Sequence, residues 1–168
     1  MTLVPAGARA GPVVAINGGM TSSLKRILVA ADFSEGSDEA ISQAIELGRQ
    51  TDASLEIVYV RELGAVDFPF GALYPEDAGS VIAYTDLELA RRRDRVTSAG
   101  LDCHYRCLDG SPANEIVRRA GETNSDLIVI GTHGRRGLAH ALLGSVAERV
   151  VQHAGCPVLT VPFAKKAA

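Results

Sequence analysis

Three short runs in the chain are apolar at nearly every position instead of every second one: Ile27-Leu28-Val29-Ala30-Ala31, Leu127-Ile128-Val129-Ile130 and Pro157-Val158-Leu159-Thr160-Val161. A strand with one face in water alternates apolar and polar residues. A continuous run therefore points to a strand buried on both faces, the condition of a parallel sheet covered by helices. The first run stops abruptly at Asp32-Phe33-Ser34. Ser34 or Ser37 can cap the segment that follows, where Ala40, Ile41, Ala44, Ile45 and Leu47 recur at helical spacing before Gly48 and the polar stretch Arg49 to Asp52.

The same unit repeats. Leu55 to Val60 reads as a β-branched-rich strand, Arg61 to Gly79 as a loop with two Pro and three Gly, and Ser80 to Ala99 as a helix stopped at Gly100. Leu101 to Leu108 is a weaker strand signal. Asp109-Gly110-Ser111-Pro112 then punctuates a turn into a helix, with Ser111 at the N-cap and Pro112 at the first helical position. That helix turns Ile116, Val117 and Ala120 inward and stops near Gly121. Ser145 to His153 forms the last helix, with Val146, Ala147, Val150 and Val151 on one stripe. About five strand-helix alternations predict a single α/β domain built on an open parallel sheet, with helices on both faces. The domain is expected over residues 24–163, after a Gly-rich flexible extension (1–23) that carries Met20 as a second start, and before a short tail (164–168).

Charge narrows the function. Seventeen Lys and Arg stand against 20 Asp and Glu, a formal net charge of -3, which removes the broad basic footprint of a protein that binds nucleic-acid backbones. The Arg91-Arg92-Arg93-Asp94-Arg95 cluster is expected to be a solvated helix face. No run approaches the roughly 18–20 apolar residues of a membrane span, and no basic segment opens a leader, so a soluble cytoplasmic protein is expected. Cys103, Cys107 and Cys156 lack disulfide spacing and read as small core residues. On a strand His104 would face away from Cys103 and Cys107, so no metal site is expected there.

In open parallel sheets, ligands bind beyond the carboxyl ends of the strands where the winding reverses. Asp32 and Gly131 both stand at such ends. The segment from Gly131 through Gly134 and Gly137 to Gly144-Ser145 joins a buried strand to a helix. Glycines let backbone N–H groups approach an anion closely, and the next helix start offers unpaired donors and a positive dipole end. Phosphate binding explains this composition, with His133, Arg135 and Arg136 as added charge. The plainer reading is that the glycines only shape a tight surface turn.

The spacing Gly131-x2-Gly134-x9-Gly144-Ser145 resembles the nucleotide motif of the ATP-binding branch of the universal stress protein family. The resemblance extends to Arg26 through Ser34, to Asp109-Gly110-Ser111-Pro112, and to Asp126 through Val161. It implies a Rossmann-like sheet of the adenine nucleotide α-hydrolase-like kind, with five parallel strands in the order 3-2-1-4-5. It also implies homodimers paired through the last strand, Pro157 to Val161, and ATP as ligand, with or without Mg2+. Position by position, Ala30, Ala31 and Asp32 resemble the adenine-side wall, and Val60 and Ile130 its apolar contacts. Gly131, Gly134, Gly144, Ser145 and Val146 resemble the ribose and phosphate cradle. Each also has an ordinary reading: Asp32 and Ser145 as helix-start residues, Val60 and Ile130 as core.

Three functions are weighed. A nucleotide-dependent regulator of a stress response, acting on a protein partner, fits a cradle without an evident catalyst: no acidic residue lies between Gly131 and Ser145, and no catalytic residue is assigned. A slow ATPase or phosphoryl-transfer enzyme of the same fold is the alternative. Against it, the chain has neither G-x-x-x-x-G-K-[ST] nor, after the first strand, a Ser-Gly-Gly-x-Asp-Ser loop. A phospho-receiver would need an acidic pair where Asp32 stands alone.

Overall fold

The computed structural model describes residues 13–15, 24–62, 78–132 and 143–162. Its elements in chain order are β1 (Val13–Ala15), β2 (Arg26–Ala31), α1 (Glu35–Thr51), β3 (Ser54–Arg61), α2 (Ala78–Ser98), β4 (Cys103–Asp109), α3 (Pro112–Glu122), β5 (Leu127–Gly131), α4 (Ser145–His153) and β6 (Val158–Val161). One sheet runs β1-β6-β5-β2-β3-β4. Its five parallel strands, counted without β1, stand in the expected 3-2-1-4-5 order, with Ile27 paired to Leu55 on one side and to Leu127 on the other.

The continuous apolar runs are buried on both faces, as their composition requires. Along β2, Ile27, Val29 and Ala31 pack with Ala40, Ile41 and Ala44 of α1 and with Leu89 and Val96 of α2. Leu28 and Ala30 point the other way, toward Ala113, Ile116 and Ala120 of α3 and Ala147 and Val150 of α4. The sheet is thus the middle of three layers, and each fully buried Ile, Leu or Val in it contributes about 1.5–3 kcal/mol relative to exposure. Among the described residues no helix is long and apolar enough to cross a membrane.

Four expectations need correction. Val13–Ala15 is not part of a structureless extension: it adds an antiparallel strand outside β6, pairing Val13 with Thr160, Val14 with Leu159 and Ala15 with Val158. Three residues show no periodicity, and they become a strand only because β6 presents an edge to them. The second correction is that α1 runs through Gly48 to Thr51 and ends on Asp52 at φ 55°. Gly48 is there for packing, since a Cβ on it would meet the Leu101 and Leu55 side chains at 2.8 and 2.9 Å. Third, Cys103 is buried and Cys156 half-buried, but Cys107 is exposed, because edge strand β4 has its outer end uncovered. Burial pushes the Cys103 thiol up to about 12. The fourth concerns the arginine cluster, whose Arg92 is 8% exposed; its partners belong with the site.

Candidate functional site

The direction of winding along the sheet reverses between the parallel neighbours β2 and β5. From β2 the chain passes through α1 to β3 on one side; from β5 it passes through α4 to β6 on the other. The carboxyl ends of these two neighbouring strands, at Ala31-Asp32 and Gly131-Thr132, therefore open the crevice in which such sheets bind ligands. Both crossover helices start there.

The two helix starts differ. At α1, Ser34 is the N-cap: its hydroxyl accepts from the Ser37 N–H at 3.2 Å, and its carbonyl accepts from the Asp38 N–H at 3.0 Å. Asp32 Oδ1 in turn accepts from the Ser34 N–H at 3.0 Å and from the Ser34 hydroxyl. Asp32 thus belongs to the chain of groups that closes α1, the ordinary reading weighed for it, while standing at the strand end where the sequence placed it. At α4 the N-cap is Gly144, which has no side chain to bond the first turn. Among the described residues no side chain caps the leading N–H groups of α4, which begin with the exposed Ser145.

Gly131 and Gly144 are held by the protein's own backbone. A Cβ on Gly131 would lie 2.9 Å from the Gly36 carbonyl oxygen in the first turn of α1, and one on Gly144 would lie 2.7 Å from the Thr132 carbonyl oxygen. That oxygen accepts from the Gly144 N–H at 2.6 Å, and the Thr132 N–H donates to the Val161 carbonyl at 2.9 Å. Thr132 and Gly144 are thereby held against each other and tied to β6. Gly134, like His133, Arg135 and Arg136, lies outside the described residues.

Among the other expected site residues, Ala30 and Ile130 are register partners on adjacent strands. Val60 and Val146 pack against the same α3–α4 side of the sheet. Ala31 faces the opposite side, under α1. The structure thus brings the ends of β2 and β5 and the start of α4 together, with Ala31 and the Cβ position of Gly131 turned toward α1.

Two further residues shape the crevice and escaped sequence reasoning. Phe33, at φ 64°, is in the left-handed region that a bulky side chain rarely adopts. Its ring stacks on Tyr59 at 4.4 Å, and the Arg92 guanidinium sits over it at 4.8 Å. Strain of about 1–3 kcal/mol at such a residue is offset by a stack worth about 0.5–1.5 kcal/mol and a desolvated cation–π contact of up to about 2 kcal/mol. Arg92 also donates to both Asp38 carboxylate oxygens, at 2.8 and 3.2 Å, and to Glu88 Oε2 at 2.7 Å. So α2 clamps the strand-end loop to α1, and the Arg92 hydrogen bond holds the Glu88 carboxyl below its usual range. The only sequence signal was an aromatic residue directly after Asp32. The neighbouring arginines are engaged too: Arg93 with Asp94, and Arg95 with the Asp38 carbonyl and the Ser42 hydroxyl. A shallow groove of about 350 Å³ runs beside edge strand β4, where Glu56 takes up the charge of Arg119 at 2.6 Å.

An open, doubly wound sheet whose crevice holds one capped and one uncapped helix start defines the α/β proteins that bind ligands at a topological switch point. Residues 23–162 match the model of the universal stress protein family. The chain belongs to the universal stress protein family. It is 39% identical over 147 residues to a universal stress protein of Methanocaldococcus jannaschii, covering 84% of each chain. It is 30% identical over 151 residues to one of Synechocystis, covering 81% of this chain and 96% of that one. A solved universal stress family protein from Burkholderia pseudomallei superimposes with a TM-score of 0.66 at 32% identity, over 85% of this chain and 99% of that one. A universal stress protein solved in complex with cAMP superimposes with a TM-score of 0.63 at 27% identity, over 84% and 98%.

Proposed function

We propose that this chain binds ATP in the crevice between β2 and β5 and acts as a nucleotide-dependent regulator in a stress response, as a cytoplasmic homodimer paired through Pro157 to Val161. The observation that carries the nucleotide reading is the α4 start at the end of β5: its N-cap is a glycine and, among the described residues, no side chain caps its first turn, whereas α1 is capped by Ser34. The cAMP complex of a relative supports an adenine nucleotide as the ligand class.

In this reading Gly131, Gly134, Gly144, Ser145 and Val146 cradle ribose and phosphates, and Ala30, Ala31, Asp32, Val60 and Ile130 line the base side. Three or four charge-assisted hydrogen bonds at about 1.5–3 kcal/mol each suffice for micromolar retention after association costs. Calorimetric titration of folded protein with ATP tests this. The reading predicts saturable heat at sub-millimolar ATP, and its absence ends the proposal.

A further inference from the structure

We propose that β1 is a displaceable cap on the β6 edge, and that the strand which replaces it is β6 of a second copy of this chain. The inference rests on the homodimer reading above and adds a control to it.

An exposed strand edge is a template for pairing, and proteins protect it with charge or with cover. Edge strand β4 uses charge and polarity: His104 and Arg106 are exposed along it. Strand β6 has neither. Val158, Leu159, Thr160 and Val161 are all at most 5% exposed, and no charged residue lies among them. Its protection is β1, which covers three of its four residues. Pro157 and Pro162 bracket β6 and confine any pairing to those four positions, since proline donates nothing to a ladder.

The direction of β1 identifies the replacement. It runs antiparallel to β6, so the outward N–H and C=O groups of β6 accept an antiparallel strand. A twofold axis normal to the sheet brings β6 against its own copy in that same direction. Such an axis keeps the two faces of the sheet aligned, so one residue stands opposite its own copy: with Thr160 on the axis Leu159 faces Val161, and with Leu159 on the axis Val158 faces Thr160, an uncharged match in either register. The same backbone groups cannot serve β1 and a second β6 together. The cap acts within one chain, at an effective concentration on the order of millimolar, so it holds the edge in dilute protein and yields as copies accumulate or when it is removed.

Three proteins test this by sedimentation over a range up to about 100 µM: the full chain, a chain starting at Met20, and the full-length variant V13P/V14P, which breaks the β1 ladder at both alternating positions without shortening the chain. The expected result is a dimer at least about tenfold tighter in both altered proteins. Hydrogen exchange at residues 158–161 should be slow in the dilute full chain, fast in the dilute altered proteins, and slow again when those are concentrated. Equal dimer affinity in all three, with unchanged exchange, overturns the cap and leaves the last-strand dimer standing. Monomers throughout in the altered proteins, with circular dichroism confirming the fold, overturn both. ATP titration of the same samples reports on the nucleotide reading separately.

Discussion

At Gly131 and Gly144 a missing methyl group serves the protein before it serves any ligand, because the space it would fill is taken by the carbonyl oxygens of Gly36 and Thr132. Both backbones have to approach this closely for the crevice to exist. Gly131→Ala and Gly144→Ala are each expected to lower stability by about 1–3 kcal/mol, the usual cost of overpacking, read as a lower urea midpoint. Gly121→Ala is the control: nothing lies within 4 Å of its Cβ position, and it sits inside α3, so it should gain about 0.5–1 kcal/mol. Unchanged midpoints in the first two would mean that the glycines serve only the ligand. The spacing of the motif glycines was legible in the sequence, but their neighbours were not. Gly36 reaches Gly131 only through tertiary folding, and the strain at Phe33 follows from Tyr59 and Arg92, which lie on two other elements.

The starts of α1 and α4 differ: Ser34 caps α1, whereas the N-cap of α4 is Gly144. Ser34→Ala removes a cap and should cost about 1 kcal/mol. Ser145→Asp places a carboxylate at the uncapped start of α4, where the helix dipole favours it by about 0.3–1 kcal/mol. The melting temperature should hold or rise, while ATP affinity should fall at least about tenfold through repulsion of phosphate; a variant that keeps full affinity would remove α4 from the site. Element types were readable from apolar runs and helical spacing, but two faces were not. The helical segment after Ser34 continues past Gly48 because that glycine packs on Leu55 and Leu101, and the arginine cluster looks solvated until α1 supplies Asp38. The α1–α2 clamp also gives a pH dependence. The Glu88 carboxyl is held low in the folded state by Arg92, so its contribution is complete above the ordinary Glu value of about 4.3 and is lost as pH falls toward the lowered folded value. Glu88→Gln should flatten the fall of melting temperature with pH over that acid window, and an unchanged slope would show that the pair contributes nothing.

For the whole molecule, the sheet divides at the crevice into β2-β3-β4 on one side and β5-β6-β1 on the other. The parallel sheet was legible from strand-helix alternation and its order from the family resemblance, whereas β1 was not legible, because a three-residue strand has no period of its own and exists only against β6. A ligand spanning the division bonds to both halves at once and binds no unfolded chain, so it must raise the stability of the domain as a unit. ATP at one hundred times its Kd should add about 2.7 kcal/mol, which for a chain of this length corresponds to roughly 5–11 °C in melting temperature. Adenosine alone and tripolyphosphate alone should each give smaller shifts, because each engages one part of the crevice. The gain should also shrink in Ser145→Asp by the amount its affinity falls. A shift of equal size in that variant would place the nucleotide elsewhere on the molecule, since linkage ties stabilisation to affinity at the site that binds.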